Sequence, residues 1–516
     1  MDEVNSALQR VARGTGIVFF GGIIGTFLGF LYRTIIARHF ERAQYGTFNL
    51  ALTLLSVALI VALIGFPTGL PREISRYRKE APQEIRFLIS TALLIGISAS
   101  TLMVVVYFFL APWFSQVLND PYLSHALRWI SPALPFMALS AILIAISRGF
   151  DRVRENFYYQ RLLSPLLYLL VTIVVVFGGF DFRFLFAGYV VVQAVVAVLL
   201  LRELKKIGLL EFGLFLKRDL AAKLVLFSVP LMLTGILEYV MGWTDTLMLG
   251  HYFNSDIVGL YNSASPLARF IPIFLASAGF LFMPIATGFY TEGKLDELRR
   301  IYVIVTRWVF LPTFPLFLLL MVFPEATITG LFGAKYSAAA PALQILALGF
   351  VFHTILGLNG MSLVVIGQPN KNLMGNVFAA TTNVVLNVLL IPPYGIEGAA
   401  LATAVSYVVA NLFRSGWLYR ETGIHPFGRS YTVQLVAATA TALALKVLAP
   451  EGVNIFMAIL LVALSFMVYL VVVLLLRTVE PEDVALLRAV GQRLGWNLEP
   501  LARILERFSR DPIARE

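Results

Sequence analysis

About fourteen long apolar segments separated by short loops constrain this chain more than any other feature. Each is roughly 20 residues long, the length at which an α-helix crosses the hydrocarbon core of a bilayer while satisfying its own backbone hydrogen bonds. Of the 516 residues, 59% are hydrophobic and 14% are charged. Soluble domains carry about 25% charged residues, so a soluble fold is excluded. We predict an all-α integral membrane protein with about fourteen transmembrane helices.

The predicted spans follow directly from the apolar segments. In chain order they are 15–37, 46–70, 87–111, 126–148, 158–178, 183–202, 222–249, 257–289, 302–323, 339–366, 372–391, 395–417, 430–449 and 454–476.

The basic residues predict the orientation of these spans. Most of the 40 Lys and Arg residues fall before the first span, after the last one, or in every second loop between them. Only six lie on the opposite face, in its loops or at the adjoining ends of spans: Arg38, Arg42, Arg128, Arg183, Lys335 and Lys446. Because basic loops stay in the cytoplasm, both termini are predicted to be cytoplasmic. The net charge of +10 therefore reflects membrane orientation and does not predict a nucleic-acid partner.

The chain contains an internal repeat. His39-Phe40 is followed by Gly46-Thr47-Phe48-Asn49, and His251-Tyr252 is followed by Gly259-Leu260-Tyr261-Asn262. Six predicted spans separate the two copies, so both halves have the same orientation, as in transporters whose site lies between two lobes. A relic of duplication without transport would leave the same pattern.

Several stretches resemble the polysaccharide-export family of the multidrug/oligosaccharidyl-lipid/polysaccharide exporter superfamily. They are Ala37-Arg38 through Phe48, Ser228-Val229-Pro230 through Gly250, Val258 to Tyr261, Leu331 to Tyr336 and Leu390 to Ala400. The resemblance implies a V-shaped, MATE-like arrangement of two six-helix lobes around a cavity, with two additional C-terminal helices. The implied domains are the lobes 1–215 and 216–421, spans 13 and 14 at 422–477, and a cytoplasmic amphipathic tail at 478–516.

Two arginines inside predicted spans are candidate substrate-binding residues. Arg33 lies in span one and Arg269 in span eight, the spans in which related lipid II flippases also use arginines. Charged residues are costly at these positions, and the planar guanidinium binds pyrophosphate with paired hydrogen bonds. An arginine that pairs with a neighbouring carboxylate to hold helices together is the alternative.

Acidic residues in span seven are candidates for gating or ion coupling. The repeat relates Arg33 to Asp245, so an ion pair between them could close the outer end of the protein. Each could instead interact within its own lobe or extend to lipid headgroups. Glu238 lies seven residues before Asp245, on the same helical face. This acidic face could bind H⁺ or Na⁺, or it could compensate the arginines.

Asparagines recur along one face of span eleven, at Asn372, Asn376, Asn383 and Asn387. We take Asn376 and Asn383 as candidate sugar-binding residues. Amide groups also join transmembrane helices to each other, which is the alternative.

Three functional classes fit a membrane protein of this kind. The first is a flippase that moves polyprenyl-(pyro)phosphate-linked oligosaccharide from the cytoplasmic to the outer leaflet by alternating access. The second is a cation-coupled multidrug exporter of the MATE type, whose cationic drugs would favour an acidic cavity. The third is a membrane glycosyltransferase or polymerase.

The sequence favours the flippase over an enzyme. It contains no Asp-x-Asp pair, no His-Glu-x-x-His motif, no phosphate loop and no cysteine. We therefore expect no enzymatic activity and no cofactor apart from a coupling ion. The expected partners are the lipid-linked oligosaccharide, the bilayer of the cell membrane, and glycosyltransferases or a polymerase of the same pathway.

Overall fold

The structure is a computed structural model that describes residue 22 and residues 24–210, 213, 215–481, 483–484, 488, 497 and 499–508. The described residues are almost entirely helical. The predicted cytoplasmic N terminus lies outside them, as do the start of span one and much of the predicted tail.

In chain order the described helices are α1 (24–39), α2 (Arg42–Leu63), α3 (Phe66–Glu80), α4 (Ile85–Val117), α5 (Leu123–Ile130), α6 (Ala133–Gly149), α7 (Ser164–Phe177), α8 (Arg183–Lys206), α9 (Arg218–Tyr252), α10 (Ser255–Ala268), α11 (Ile273–Thr291), α12 (Leu295–Val322), α13 (Pro324–Phe332), α14 (Ala340–Ile355), α15 (Asn359–Val365), α16 (Pro369–Thr422), α17 (Arg429–Leu448), α18 (Ile455–Leu475) and α19 (Glu499–Phe508). A π-helical segment, Asn156–Leu163, precedes α7.

Ten helices among the described residues are long and apolar enough to cross a membrane. The number rises to 12 if each of two bent pairs forms one span, the pairs being Leu123–Ile130 with Ala133–Gly149 and Ile273–Gly279 with Phe282–Thr291. The prediction of a polytopic all-α membrane protein is confirmed. The count of fourteen spans and the positions of the termini stay predictions.

Several predicted spans are interrupted at glycine or proline. Between α2 and α3, Ile64 and Gly65 both have left-handed backbone, with φ of 50° and 78°. The φ of 53° at Gly395 divides α16 at the boundary between predicted spans eleven and twelve. Pro272 lies at the end of the turn that separates α10 from α11. Because proline has no backbone N–H, it cannot donate the hydrogen bond that would continue α10 through this position.

The chain forms two compact units. The first unit comprises the chain up to Pro266, with Leu331–Ala342 and Asn376–Ser406, and the second comprises Leu267–Gly330, Leu343–Gly375 and the chain from Tyr407. The first unit includes segments from both predicted lobes, so the units do not correspond to the two repeat copies. The predicted lobe boundaries stay predictions.

Each unit has its own apolar core. In the first unit, side chains of α3, α4, α6 and α8 pack together, including the fully buried Phe66, Ile142 and Leu200. In the second unit, α11, α12 and α15 pack around Phe282 and Tyr302.

A buried arginine connects the C-terminal region to α12 within the second unit. Arg307 is 2% exposed and lies 3.1 Å from Glu480 and 2.6 Å from Asp483. Asp483 also accepts a hydrogen bond from the Trp308 indole at 2.6 Å. In the predicted tail, Glu499–Phe508 is helical, and the intervening residues are mostly outside the described part of the chain.

The two repeat copies meet within the first unit through their glycines. A Cβ atom on Gly46 would lie 1.7 Å from the carbonyl oxygen of Ser255, and one on Gly259 would lie 2.2 Å from the carbonyl oxygen of Arg42. The backbones of α2 and α10 therefore approach as closely as small residues allow.

Corresponding asparagines repeat the same local hydrogen bond in both copies. The Asn49 side chain donates to the carbonyl of Tyr45 at 2.8 Å, and that of Asn262 donates to the carbonyl of Val258 at 3.0 Å. Both amide groups are buried. The sequence repeat is thus also a structural repeat at this helix crossing.

We predict that Gly46→Ala destabilises the protein by about 1–3 kcal/mol or more, because the new methyl group would overlap a backbone carbonyl that cannot move alone. Thermal unfolding in detergent measures the effect. Gly288→Ala is the matched control, since no atom lies within 4 Å of its Cβ position. Equal melting temperatures for Gly46→Ala and the wild type would contradict the close crossing.

Candidate functional site

Arg33 is a half-buried cation on α1. Its Nε donates to the Tyr32 hydroxyl at 3.3 Å, and its guanidinium lies 6.0 Å from the centre of the Trp243 ring. Among the described residues, no carboxylate lies within ion-pair distance of Arg33. Arginine has five N–H donors, so this group has the capacity to bind an anion.

Aromatic and amide groups from four helices surround this arginine. We call Tyr32, Tyr168, Tyr189, Gln193 and Trp243 the aromatic cluster. The Tyr168 and Tyr189 rings are stacked with centroids 4.7 Å apart, and Tyr32 lies 5.7 Å from Tyr168. The amide of Gln193 donates to the Tyr168 hydroxyl. These contacts fix the rings beside the positive charge.

Asp245 on α9 is a buried charged group of the first unit that lies inside predicted span seven. It is 2% exposed. Its Oδ2 accepts hydrogen bonds from Tyr261 at 2.6 Å and Thr403 at 2.7 Å, and its Oδ1 accepts from Asn387 at 2.8 Å and Asn383 at 3.5 Å. We call these four donors the Asp245 clamp. The carboxylate is therefore held by neutral groups, which offset the cost of removing it from water.

Arg33 and Asp245 do not pair in this structure. Both lie in the first unit, but the oxygens of Asp245 are occupied by the clamp. An outer gate formed by this pair stays a prediction. Glu238 lies on the same helix as Asp245 but is exposed, whereas Asp245 is buried. The two carboxylates of the predicted acidic face therefore have different environments.

An ion pair between Arg42 and Asp256 connects the repeat copies at the end that is predicted to face outside. Arg42 also donates to the carbonyl of Lys335 at 3.1 Å, and the Lys335 amine donates to the carbonyl of Phe40 at 2.5 Å. These contacts hold α1, α2 and α10 together.

The remaining predicted site residues fall in different places. Arg269 belongs to the second unit, where it is half-buried in the turn between α10 and α11. Asn376 belongs to the first unit and is also half-buried. Asn383 is fully buried in the clamp, as is Asn387. Substrate contact by Arg269, Asn376 and Asn383 stays a prediction.

Apart from Asn383 and Asn387, sequence reasoning did not single out the groups that surround the two charges. Tyr189 and Gln193 are four residues apart and share a face of α8, but nothing in the sequence connects them to Tyr168 on α7. Thr403 lies in a run of small residues typical of helix packing. Among these other groups, only Tyr261 belongs to a pattern that the sequence revealed, the second copy of the repeat motif.

We predict that Asn387→Leu lowers the free energy of unfolding by about 1–3 kcal/mol, because the buried carboxylate of Asp245 loses a hydrogen-bond donor. Thr381→Leu on the same helix is the control, since Thr381 is exposed. Thermal unfolding in detergent compares the two variants. If Asn387→Leu were no less stable than Thr381→Leu, the clamp would not stabilise the fold.

Two family profiles match the chain. The profile described as polysaccharide biosynthesis protein matches residues 11–289, more than half of the chain. A second profile, MatE, matches residues 230–389.

Three curated relatives match over most of their length. An uncharacterized membrane protein of Methanocaldococcus jannaschii is 25% identical over 438 residues, covering 81% of this chain and 86% of the relative. The probable low-salt glycan biosynthesis flippase Agl15 of Haloferax volcanii is 25% identical, with coverage of 79% and 83%. The probable flippase AglR of the same organism is 24% identical, with coverage of 85% and 90%.

Solved structures establish the fold. The lipid II flippase MurJ, in an inward closed conformation, has a TM-score of 0.68 at 13% identity and covers 88% of this chain and 97% of its own. An inward-facing multidrug resistance MATE family transporter of the MOP superfamily has a TM-score of 0.62 at 12% identity, with coverage of 77% and 94%. The MATE-like fold implied by the sequence resemblance is confirmed.

Proposed function

Because the chain belongs to the polysaccharide biosynthesis protein family, we propose that it is a flippase for polyprenyl-pyrophosphate-linked oligosaccharide. It would move this lipid from the cytoplasmic to the outer leaflet by alternating access. The relatives Agl15 and AglR, both named as probable flippases, support this assignment. The protein is a multi-pass protein of the cell membrane.

The charge of Arg33 is the observation that carries the proposal. A cation inside a transmembrane helix is costly unless it is compensated. Within the described residues, Arg33 donates to a neutral hydroxyl and has no carboxylate partner, whereas Arg307 has two. An anionic ligand would compensate Arg33, and a pyrophosphate suits the guanidinium because it accepts paired hydrogen bonds. The carrier's polyprenyl tail would remain in lipid.

The same charge disfavours the multidrug alternative. A site for cationic drugs requires unpaired carboxylates or aromatic faces without a competing cation. Around Arg33 the aromatic faces are combined with a fixed positive charge. Agl15 and AglR are named as probable flippases, and the two structural neighbours are a flippase and a multidrug transporter. These comparisons favour transport over catalysis.

We predict that proteoliposomes containing the wild type flip a short-chain polyprenyl-pyrophosphate oligosaccharide and that Arg33→Ala lowers the rate at least tenfold. Arg33→Lys should retain part of the activity, because it keeps the charge but loses the planar fork. The measurement is the fraction of labelled lipid that becomes accessible in the opposite leaflet over time. Arg269→Ala, measured in parallel, tests the second predicted arginine.

The control is Arg183→Ala, because Arg183 is exposed and pairs with Asp181 at the start of predicted span six. Efflux of a cationic dye is measured in the same vesicles. Dye efflux without movement of the oligosaccharide lipid would assign the protein to the multidrug class. Equal flipping by Arg33→Ala and the wild type would remove the proposed role of Arg33.

We further propose that Asp245 couples transport to an H⁺ or Na⁺ gradient. Its carboxylate is buried, and among the described residues no cation lies within ion-pair distance of it. The side-chain oxygen of Asn387, a member of the clamp, is buried without a hydrogen-bond partner. A proton on the carboxylate or a sodium ion among these oxygens would supply the absent positive charge.

We predict that Asp245→Asn preserves the fold but removes the dependence of flipping on the gradient. The amide has the shape of the carboxylate, and its nitrogen can donate to the hydroxyl groups of Tyr261 and Thr403. It is neutral, however, and would neither take up a proton nor attract Na⁺. Flipping is measured with a pH gradient and with a Na⁺ gradient separately. Full retention of the response to either gradient in the variant would contradict the coupling role.

The proposal includes partners in the same pathway. A flippase receives its substrate from membrane-associated glycosyltransferases on the cytoplasmic side. It delivers the substrate to a polymerase or transferase outside. The loops of this chain are short, so substrate selectivity would reside in groups that line the spans.

A further inference from the structure

The geometry points to the aromatic cluster beside Arg33 as a recognition site for the sugar that directly follows the pyrophosphate. This inference rests on the proposed flippase function and specifies which part of the substrate the first unit binds. The ligand class is a pyranose with one apolar C–H face, joined to a polyprenyl carrier through pyrophosphate.

The composition of the cluster suits a sugar better than a lipid tail. Tyr32 comes from α1, Tyr168 from α7, Tyr189 and Gln193 from α8, and Trp243 from α9. The binding of a hydrocarbon chain requires only aliphatic walls. Four aromatic rings with a carboxamide provide both flat faces and hydrogen-bonding groups, the combination found where a ligand is partly apolar and partly polar.

The cluster is preorganised by its internal contacts. Tyr168 and Tyr189 are stacked with an interplanar angle of 12°. Gln193 donates to the Tyr168 hydroxyl, which fixes the orientation of that ring. A fixed platform loses little conformational entropy when a ligand binds, so its contacts contribute more fully to affinity.

Tyr32 connects the platform to the arginine. Its hydroxyl accepts from the Nε of Arg33 at 3.3 Å, and its ring lies 5.7 Å from that of Tyr168. A phosphate on Arg33 therefore places the attached sugar next to the tyrosine rings. The C–H face of a pyranose carries partial positive charge and is attracted to the negative face of an aromatic ring.

Two tyrosines of the cluster differ in exposure from the structural tyrosines of the chain. Tyr302, Tyr336 and Tyr431 are almost fully buried, and each hydroxyl donates to a backbone carbonyl. Tyr168 and Tyr189, in contrast, are half-buried, whereas Tyr32 is 7% exposed. Tyr168 and Tyr189 are therefore the tyrosines of the cluster that a ligand would contact.

Binding of two probes to the detergent-solubilised full-length protein tests the inference. One probe is farnesyl pyrophosphate, and the other is the same lipid carrying one N-acetylhexosamine. We expect the wild type to bind the sugar-bearing probe at least tenfold more tightly. Tyr168→Ala should abolish this preference and leave the affinity for farnesyl pyrophosphate unchanged, because only the sugar contact is lost. Tyr168→Phe keeps the ring and should retain most of the preference.

The variants also separate this inference from the proposed function. Arg33→Ala should weaken binding of both probes. The control Tyr419→Ala removes an exposed tyrosine of the second unit and should change neither affinity. Binding of both probes with equal affinity by the wild type, or equal weakening of both by Tyr168→Ala, would overturn sugar recognition but leave the flippase proposal intact. Failure of the wild type to bind or flip either probe would overturn both.

Discussion

The cost of burying a charge away from water governs the polar architecture of this protein. Three buried or half-buried charges meet that cost in different ways. Arg307 is neutralised by Glu480 and Asp483, and Asp245 is held by four neutral donors. Within the described residues, Arg33 has neither a carboxylate nor a full set of donors around it. The first arrangement pairs opposite charges, whereas the other two hold a charge that has no oppositely charged partner among the described residues.

The repeat places these charges in a shared framework. The glycine crossing of α2 and α10 brings the repeat copies into backbone contact, and the ion pair of Arg42 with Asp256 lies at the same end of the first unit. Residues that correspond in sequence nevertheless differ in charge, as Arg33 and Asp245 do. The duplicated helices therefore carry two unlike charged groups, the guanidinium of Arg33 and the carboxylate of Asp245.

The sequence predicted the membrane class, the helical fold and the family. It also singled out Arg33 as a candidate, because a charge within an apolar segment is visible from the sequence alone, and the role of Arg33 stays a prediction. It also revealed the asparagine face that contains Asn383 and Asn387. It did not reveal that these amides hold Asp245, because their contact joins helices more than 130 residues apart. The sequence did not reveal the pairing of Tyr168 with Tyr189 for the same reason. Single tyrosines in transmembrane segments have many roles, and the two rings stack only because α7 packs against α8.

The role proposed for Arg33 is to bind the pyrophosphate of the substrate. Phosphorus-31 NMR of a short-chain polyprenyl pyrophosphate, titrated with the detergent-solubilised protein, observes the phosphate itself. We predict broadened and shifted phosphorus resonances with the wild type, a weaker effect with Arg33→Lys and loss of the effect with Arg33→Ala. Arg183→Ala should behave as the wild type. Equal broadening by Arg33→Ala and the wild type would contradict pyrophosphate binding by Arg33.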